Sequence, residues 1–387
     1  MKKSIFCLFI LISQILSAGN FEQFVHHLTL VPLKDRQIVA DSFINANRVL
    51  PYHENDTTVV FIYKSVSDTV KLAGDFTGWM PSMVMKKIEG TDFHYRIEHY
   101  ETNARIEYKI IDKEWILDPK NPNKFVGGMG VNSEVKMPAY SLPLEISYYP
   151  DIPHGTIHDT TINSKNLNNT RKVKIYLPPN YSINNRYPVI LIHDGLEYLS
   201  LANSDNILDY LIAHNEIEPV IAVFVPPVDR QEEYAGKLKY AFTNFIVDEL
   251  MPIIDQKYAT SKDPGKRANL GASDGGNIAL YIGIKHPESF GKVGAQSSDV
   301  QTVISQTFKS SSKMNLEFYL DIGKYDLLIL IPMVDNLVQI LKHKQYTYQF
   351  KEWNEGHSWG NWKSHLRFAL QQFFPPNNSI PSTEKKH

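Results

Sequence analysis

The residue best placed for chemistry is a serine in Asn269-Leu270-Gly271-Ala272-Ser273-Asp274-Gly275-Gly276. A serine hydroxyl is a weak nucleophile until a sharp turn projects it from the backbone toward a base. Gly271 and Gly275 flank Ser273 in the Gly-x-Ser-x-Gly spacing, where side chains would collide as a strand folds into a helix. Gly276 lets that helix pack closely. The run reads as a nucleophile elbow, and an elbow needs a base and an acid. In one large group of serine enzymes these follow the nucleophile in the order Ser, Asp or Glu, His.

Of the 14 histidines, His343, His357, His365 and His387 lie late enough to serve as base. Only His357, in Glu355-Gly356-His357-Ser358-Trp359, falls in a loop after a strand-like run. For the acid, Leu320-Asp321-Ile322-Gly323-Lys324-Tyr325-Asp326 offers two carboxylates. Asp326, beyond the glycine, is better placed than Asp321, which falls within the strand; Glu352 and Glu355 are more remote alternatives.

The elements needed to position these groups alternate along the second half of the chain. Tyr187 to Gly195 is an apolar run ending in a polar turn, as expected of a strand buried on both faces, and Ile221 to Val225 repeats it. Lys266 to Leu270, Val293 to Gln296, Leu316 to Ile322 and Tyr346 to Glu352 read as further strands. Ser204 to His214, Ala241 to Tyr258, Asn277 to Lys285, Leu330 to His343 and Trp362 to Phe374 read as helices. Strands alternating with helices imply an α/β domain with a mostly parallel sheet. Gly155 to Ile162 and Arg171 to Leu177 read as paired strands at its start. His154 and His158 lie in this strand-like sequence, which argues against a metal pair.

The first half has another grammar. Met1-Lys2-Lys3-Ser4, the apolar run Ile5 to Leu16 and Ser17-Ala18-Gly19 form a signal-peptide pattern over 1–19, implying export to the periplasm or beyond. The apolar run is too short to span a bilayer, and no transmembrane segment is expected. Cys7 is the only cysteine, so the processed chain would form no disulfide. Removing Lys2 and Lys3 takes the formal charge from −2 to −4, a balance that gives no footprint for nucleic acid. Residues 20–55 form a helical leader, with Val39, Phe43, Ala46 and Leu50 on one face. Residues 56–140 show short alternating runs separated by Gly and Asp turns, the pattern of a small β-sandwich. Residues 141–153, with Pro143, Pro150 and Pro153, read as a stiff linker, 154–376 as the α/β domain and 377–387 as a tail.

Two resemblances follow. Val70-Lys71-Leu72-Ala73-Gly74-Asp75-Phe76-Thr77-Gly78-Trp79, Tyr108 to Asp112 and Trp115 to Pro119 resemble the early-set immunoglobulin-like modules related to glycogen-binding domains. That likeness puts Trp79 and Trp115 where sugar-binding members stack tryptophan on glucose; the competing role is to stabilise the sandwich. Tyr176-Leu177-Pro178-Pro179, His193-Asp194-Gly195, the elbow, Asp321 to Asp326 and Gly356 to Trp362 are similar to the esterase family that includes enterochelin esterases, feruloyl esterases and esterase D.

This second likeness implies an α/β hydrolase fold preceded by the sandwich, and hydrolysis of carboxylic esters without a cofactor. It assigns Ser273, Asp326 and His357 to catalysis. The backbone N–H groups of Asp274 and of Gly195 or Leu196 would serve as oxyanion donors. Arg230, Glu233 and Tyr234 fall where members carry substrate-facing residues, and with Tyr198, Tyr325 and Trp359 would line an acyl pocket. Where members frequently carry a bulkier apolar residue, this chain has Asp274, whose charge would disfavour an anionic substrate. Feruloyl or acetyl esters on a carbohydrate are the expected substrates. A siderophore trilactone is the alternative within the class, and a non-catalytic carbohydrate-binding protein or a cell-envelope acyltransferase lies outside it.

Overall fold

The computed structural model describes residues 21–47 and 49–376. The expected signal segment and tail lie outside the described residues. The chain divides into two compact units: the described residues up to Ser141 together with Asn354–Gly356, and Leu142–Trp353 with the residues from His357 onward.

In the first unit the helices Phe21–Leu30 and Leu33–Ala46 pack on a sheet whose strands run in the order Tyr52–His53, Thr58–Lys64, Phe93–His99, Lys86–Lys87. Phe21, Phe24, Phe43, Phe93 and Tyr95 make the centre of that contact. The buried face of the second helix is Val39, Ala40, Phe43 and Ile44. Ala46 is exposed and Leu50 is buried beyond the helix end, so the expected spacing ran one turn too far. A second sheet carries Met83–Val84, Lys71–Gly74, Arg105–Asp112, Gly130–Lys136 and Lys124–Gly127 in that order, with Glu114–Ile116 paired to Arg105–Asp112. Its pairings are antiparallel. Thr58–Lys64 is buried over its first five residues and Arg105–Asp112 over its first four, so neither strand shows the alternation of a sheet with one solvated face.

The second unit is built on an eight-stranded sheet in the order Thr156–Ser164, Asn169–Leu177, Ile221–Val225, Val189–His193, Arg267–Ala272, Lys292–Gln296, Glu317–Tyr325, Thr347–Gly356. The first two pairings are antiparallel, and those from Ile221–Val225 through Glu317–Tyr325 are parallel. Val189–His193, Ile221–Val225 and Arg267–Ala272 are buried at every position, since helices cover both faces. One apolar core gathers Val189, Leu191, Val223, Phe242, Phe245, Ile246 and Ile278; another gathers Leu280, Val293, Phe318, Leu320, Val334 and Leu337.

Three features differ from the sequence expectation. The helical run after Lys239 contains a π turn over Phe245–Leu250 just before Pro252. A wider turn relieves the clash of a proline ring with the carbonyl four residues back. The proline-rich segment is not a free spacer: Glu145 is buried against Arg367, and Asn203 and Asn206 both donate to the Ile146 carbonyl. Short helices at Gly195–Ser200 and Arg230–Tyr234 occupy stretches expected to be turns or loops.

Candidate active site

Parallel strands expose their C-terminal ends on one edge of a sheet, where the following loops converge. Strand Arg267–Ala272 ends directly before Ser273, and helix Asp274–Lys285 begins directly after it. Ser273 has φ 57° and ψ −124°, a conformation that costs a non-glycine residue about 1–3 kcal/mol. The strain is imposed by close packing: a Cβ on Gly271 would lie 2.4 Å from the carbonyl carbon of Gly275. The turn is also tied down, with Ser273 N–H donating to Gln296 O at 2.9 Å and the Ser273 carbonyl accepting from Gly276 and Asn277 at 3.0 and 3.1 Å.

His357 follows strand Thr347–Gly356 and Asp326 follows strand Glu317–Tyr325. His357 Nε2 lies 3.1 Å from Ser273 Oγ, and His357 Nδ1 lies 2.7 Å from Asp326 Oδ1. Asp326 is wholly buried, and its carboxylate also accepts from Leu327 N–H at 2.7 Å. The Trp362 ring meets the imidazole edge-on at 5.1 Å, fixing its plane. With the Nδ1 proton held by Asp326, Nε2 is left to accept the serine proton. The three residues singled out by spacing therefore stand in one hydrogen-bonded line.

Asp321 stands in another network. Its Oδ2 accepts from Gln296 Nε2 and Tyr319 OH, each at 3.1 Å, and burial pushes its carboxyl up to about 6. Gln296 was not anticipated. It also accepts from Tyr198 OH at 2.9 Å, so Tyr198 is wholly buried behind the site rather than facing a ligand. Trp359 packs edge-on against Tyr198 and Trp362 and is nearly buried; Tyr325 is half-buried.

Glu233 and Tyr234 are likewise inside the unit. Glu233 forms a two-pronged pair with Arg171, which includes Arg171 Nη1 at 2.9 Å, and Tyr234 OH accepts from Asp194 N–H at 3.0 Å. Arg171 stands 62 residues before Glu233 and gave no local signal of the pairing. Arg230 remains partly exposed and reaches both Asp194 and Asp274. Gly195 is buried against Phe224, where a Cβ would lie 2.4 Å from backbone, while Leu196 is exposed. Asp299 donates its N–H to the Ser273 carbonyl at 3.3 Å; burial, then the nearby Asp274, raises its carboxyl.

In the first unit, Trp115 is exposed, whereas the Trp79 indole N–H is spent on the buried Asp75 at 3.1 Å. His154 Nδ1 pairs with Asp209 at 2.8 Å and His158 Nε2 with Thr156 Oγ1 at 2.9 Å, so the two rings have separate partners.

A strained serine at the end of a parallel strand, above a mixed eight-stranded sheet, defines an α/β hydrolase fold. The model of the esterase family described as "Putative esterase" matches residues 164–373, more than half of the chain. The chain belongs to that family and is a carboxylic ester hydrolase. It is 29% identical over 234 residues to the Bacillus subtilis protein YjcH, covering 57% of this chain and 98% of that one. It is 30% identical over 197 residues to an endo-1,4-beta-xylanase/feruloyl esterase of Xylanibacter ruminicola, covering 48% of this chain and 27% of that protein. The crystal structure of ferric enterobactin esterase from Salmonella typhimurium superposes with a TM-score of 0.69 at 19% identity, covering 86% of this chain and 98% of that one. At that identity the likeness concerns the fold. Among the described residues no helix is long and apolar enough to cross a membrane.

Proposed function

We propose that this protein is an exported serine carboxylesterase that acts on neutral feruloyl or acetyl esters of a carbohydrate. The observation that carries the reading is the Ser273 Oγ–His357 Nε2–Asp326 line at 3.1 and 2.7 Å. In this mechanism His357 takes the proton from Ser273 as its oxygen attacks the ester carbonyl, and Asp326 stabilises the imidazolium. The carbonyl π electrons move onto oxygen, which the N–H groups of Asp274 and of Gly195 or Leu196 would receive. Collapse of the intermediate expels the alcohol, which takes the proton from His357. Water, deprotonated by the same imidazole, then attacks the acyl-enzyme and releases the acid.

The choice of substrate rests on charge. Asp274 and Asp299 adjoin the nucleophile, and the partly exposed Arg230 beside them is already paired. A negative ferric catecholate would meet carboxylates there, whereas a feruloyl or acetyl ester carries no charge to repel. The similarity to a feruloyl esterase points the same way. Similarity of fold to an enterobactin esterase keeps a trilactone as the second reading, best served by the iron-free ligand. Export is read from the Lys2-Lys3 start, the apolar run and Ser17-Ala18-Gly19.

The test is steady-state hydrolysis of p-nitrophenyl acetate, methyl ferulate, a feruloylated arabinose, and iron-free and ferric catecholate trilactones. Turnover of the first three with the ferric trilactone inert is expected. A folded protein that prefers the ferric trilactone overturns the substrate assignment; transfer of acetyl to added sugar in preference to water would make the enzyme an acyltransferase.

A further inference from the structure

Arg230 opens the short helix Arg230–Tyr234, and its guanidinium is committed to fixed acceptors. Nε and Nη2 donate to Asp194 Oδ1 and Oδ2 at 2.9 Å each, a two-pronged pair; Nη1 donates to Asp274 Oδ2 at 2.7 Å; and Nη2 also reaches the Ala272 carbonyl at 3.2 Å. Four contacts use most of the five N–H groups of an arginine. Few are left for a ligand.

The two carboxylates it joins sit at informative places. Asp194 is the residue before Gly195, is nearly buried and has φ 52°, and its own N–H is donated to Tyr234 OH at 3.0 Å. Asp274 is the residue after the nucleophile. These are the two loops whose backbone N–H groups would face the developing oxyanion. They belong to different strands, Val189–His193 and Arg267–Ala272, and Arg230 comes from a third loop, after Ile221–Val225. Burial would by itself pull the guanidinium down, but the Asp194 and Asp274 carboxylates outweigh it and hold it charged. A planar fork fixes the spacing of both partners in a way that a point charge does not.

We infer that Arg230 is a positioning residue, a clamp that sets the distance between the 194–196 loop and Asp274 so that their N–H groups converge on one oxygen. The inference rests on the serine-esterase reading above. It differs from a role in binding substrate because the guanidinium acts through Asp194 and Asp274 and touches no reacting atom.

The experiment compares wild type, R230K, R230M and D274N on p-nitrophenyl acetate, with circular dichroism and thermal melting as checks on folding. Loss of an oxyanion contact costs roughly 10²–10³ in kcat, and a misplacement near 1 Å about 10². R230M should therefore lose about 100-fold in kcat, with KM nearly unchanged, because the neutral substrate makes no ground-state contact to be lost. R230K should recover part of the rate, and D274N, which keeps the Asp194 arm and the Asp274 N–H, should lose less than R230M. Added ethylguanidinium should restore rate to R230M and not to wild type. A wild-type kcat in folded R230M, or a change confined to KM, overturns the clamp while leaving the esterase reading intact. If R230M fails to fold, D274N decides: a wild-type kcat there overturns the clamp, and a fall in kcat with KM held supports it. Absence of turnover by wild type overturns the esterase reading and the clamp with it.

Discussion

Replacing Asp326 with Asn keeps the shape of the side chain and removes one charge. Asp326 Oδ1 lies 2.7 Å from His357 Nδ1, and the carboxylate is wholly buried. When the imidazole takes the serine proton, the two charge centres stand about 4 Å apart, and at an effective dielectric of about 20 their attraction is about 4 kcal/mol. That is about three orders of magnitude in rate, at roughly 1.4 kcal/mol per factor of ten. The amide adds a second penalty. Its N–H can point at Nδ1 and move the imidazole proton to Nε2, where it blocks acceptance from Ser273 Oγ. D326N should therefore lower kcat for p-nitrophenyl acetate by about 10³–10⁴, with little change in KM. D321N is the matched control: it removes a carboxylate from the same strand-and-loop segment, hydrogen-bonded to Gln296 and Tyr319 instead. It should retain most of the activity. Near-wild-type kcat in D326N, or an equal loss in D321N, would refute the assignment of the acid.

D321N should instead alter stability as a function of pH. Burial holds the Asp321 carboxyl at about 6, so the folded chain binds that proton more tightly than the unfolded chain does. The stabilisation is fully present below the unfolded pKa near 4 and is lost as pH rises through about 6, a change of about 3 kcal/mol for a shift of about two units. Urea unfolding at pH 4 and pH 7 should show this loss in wild type and a flatter response in D321N; equal slopes would remove the argument. Arg171 and Glu233 form a fully buried pair. R171M leaves Glu233 uncompensated and should cost about 3–5 kcal/mol, much of it recovered in R171M/E233L. If Glu233 served substrate binding, E233Q would raise KM; it should lower the urea midpoint and leave KM alone.

What was legible before the structure, and what was not, follows from how far each interaction reaches along the chain. The elbow is local: Gly271 and Gly275 are needed because the strand and helix on either side of Ser273 touch within four residues. Position also distinguishes Asp326 from Asp321: the strand runs two residues past Gly323, Asp326 is the first residue beyond it and Asp321 lies inside it. Continuous apolar runs likewise marked the central strands of the second unit. Arg230, Glu233 and Tyr234 could not be sorted in this way. Nothing near Glu233 tells that Arg171, 62 residues earlier, will claim its carboxylate, or that Tyr198 will spend its hydroxyl on Gln296, 98 residues later. Helices of five and six residues at 230–234 and 195–200 are too short to display a hydrophobic period. His193-Asp194-Gly195 was visible as a motif, yet the work of Asp194 appears only when Arg230 folds across to meet it.

The central claim is that Ser273 is an activated nucleophile. Its most direct test is the intact mass of the protein after brief exposure to a fluorophosphonate, beside Ser273→Ala. One adduct on wild type and none on the variant is the predicted result. A folded wild type that takes up no label, or a variant that is labelled equally, would contradict the claim.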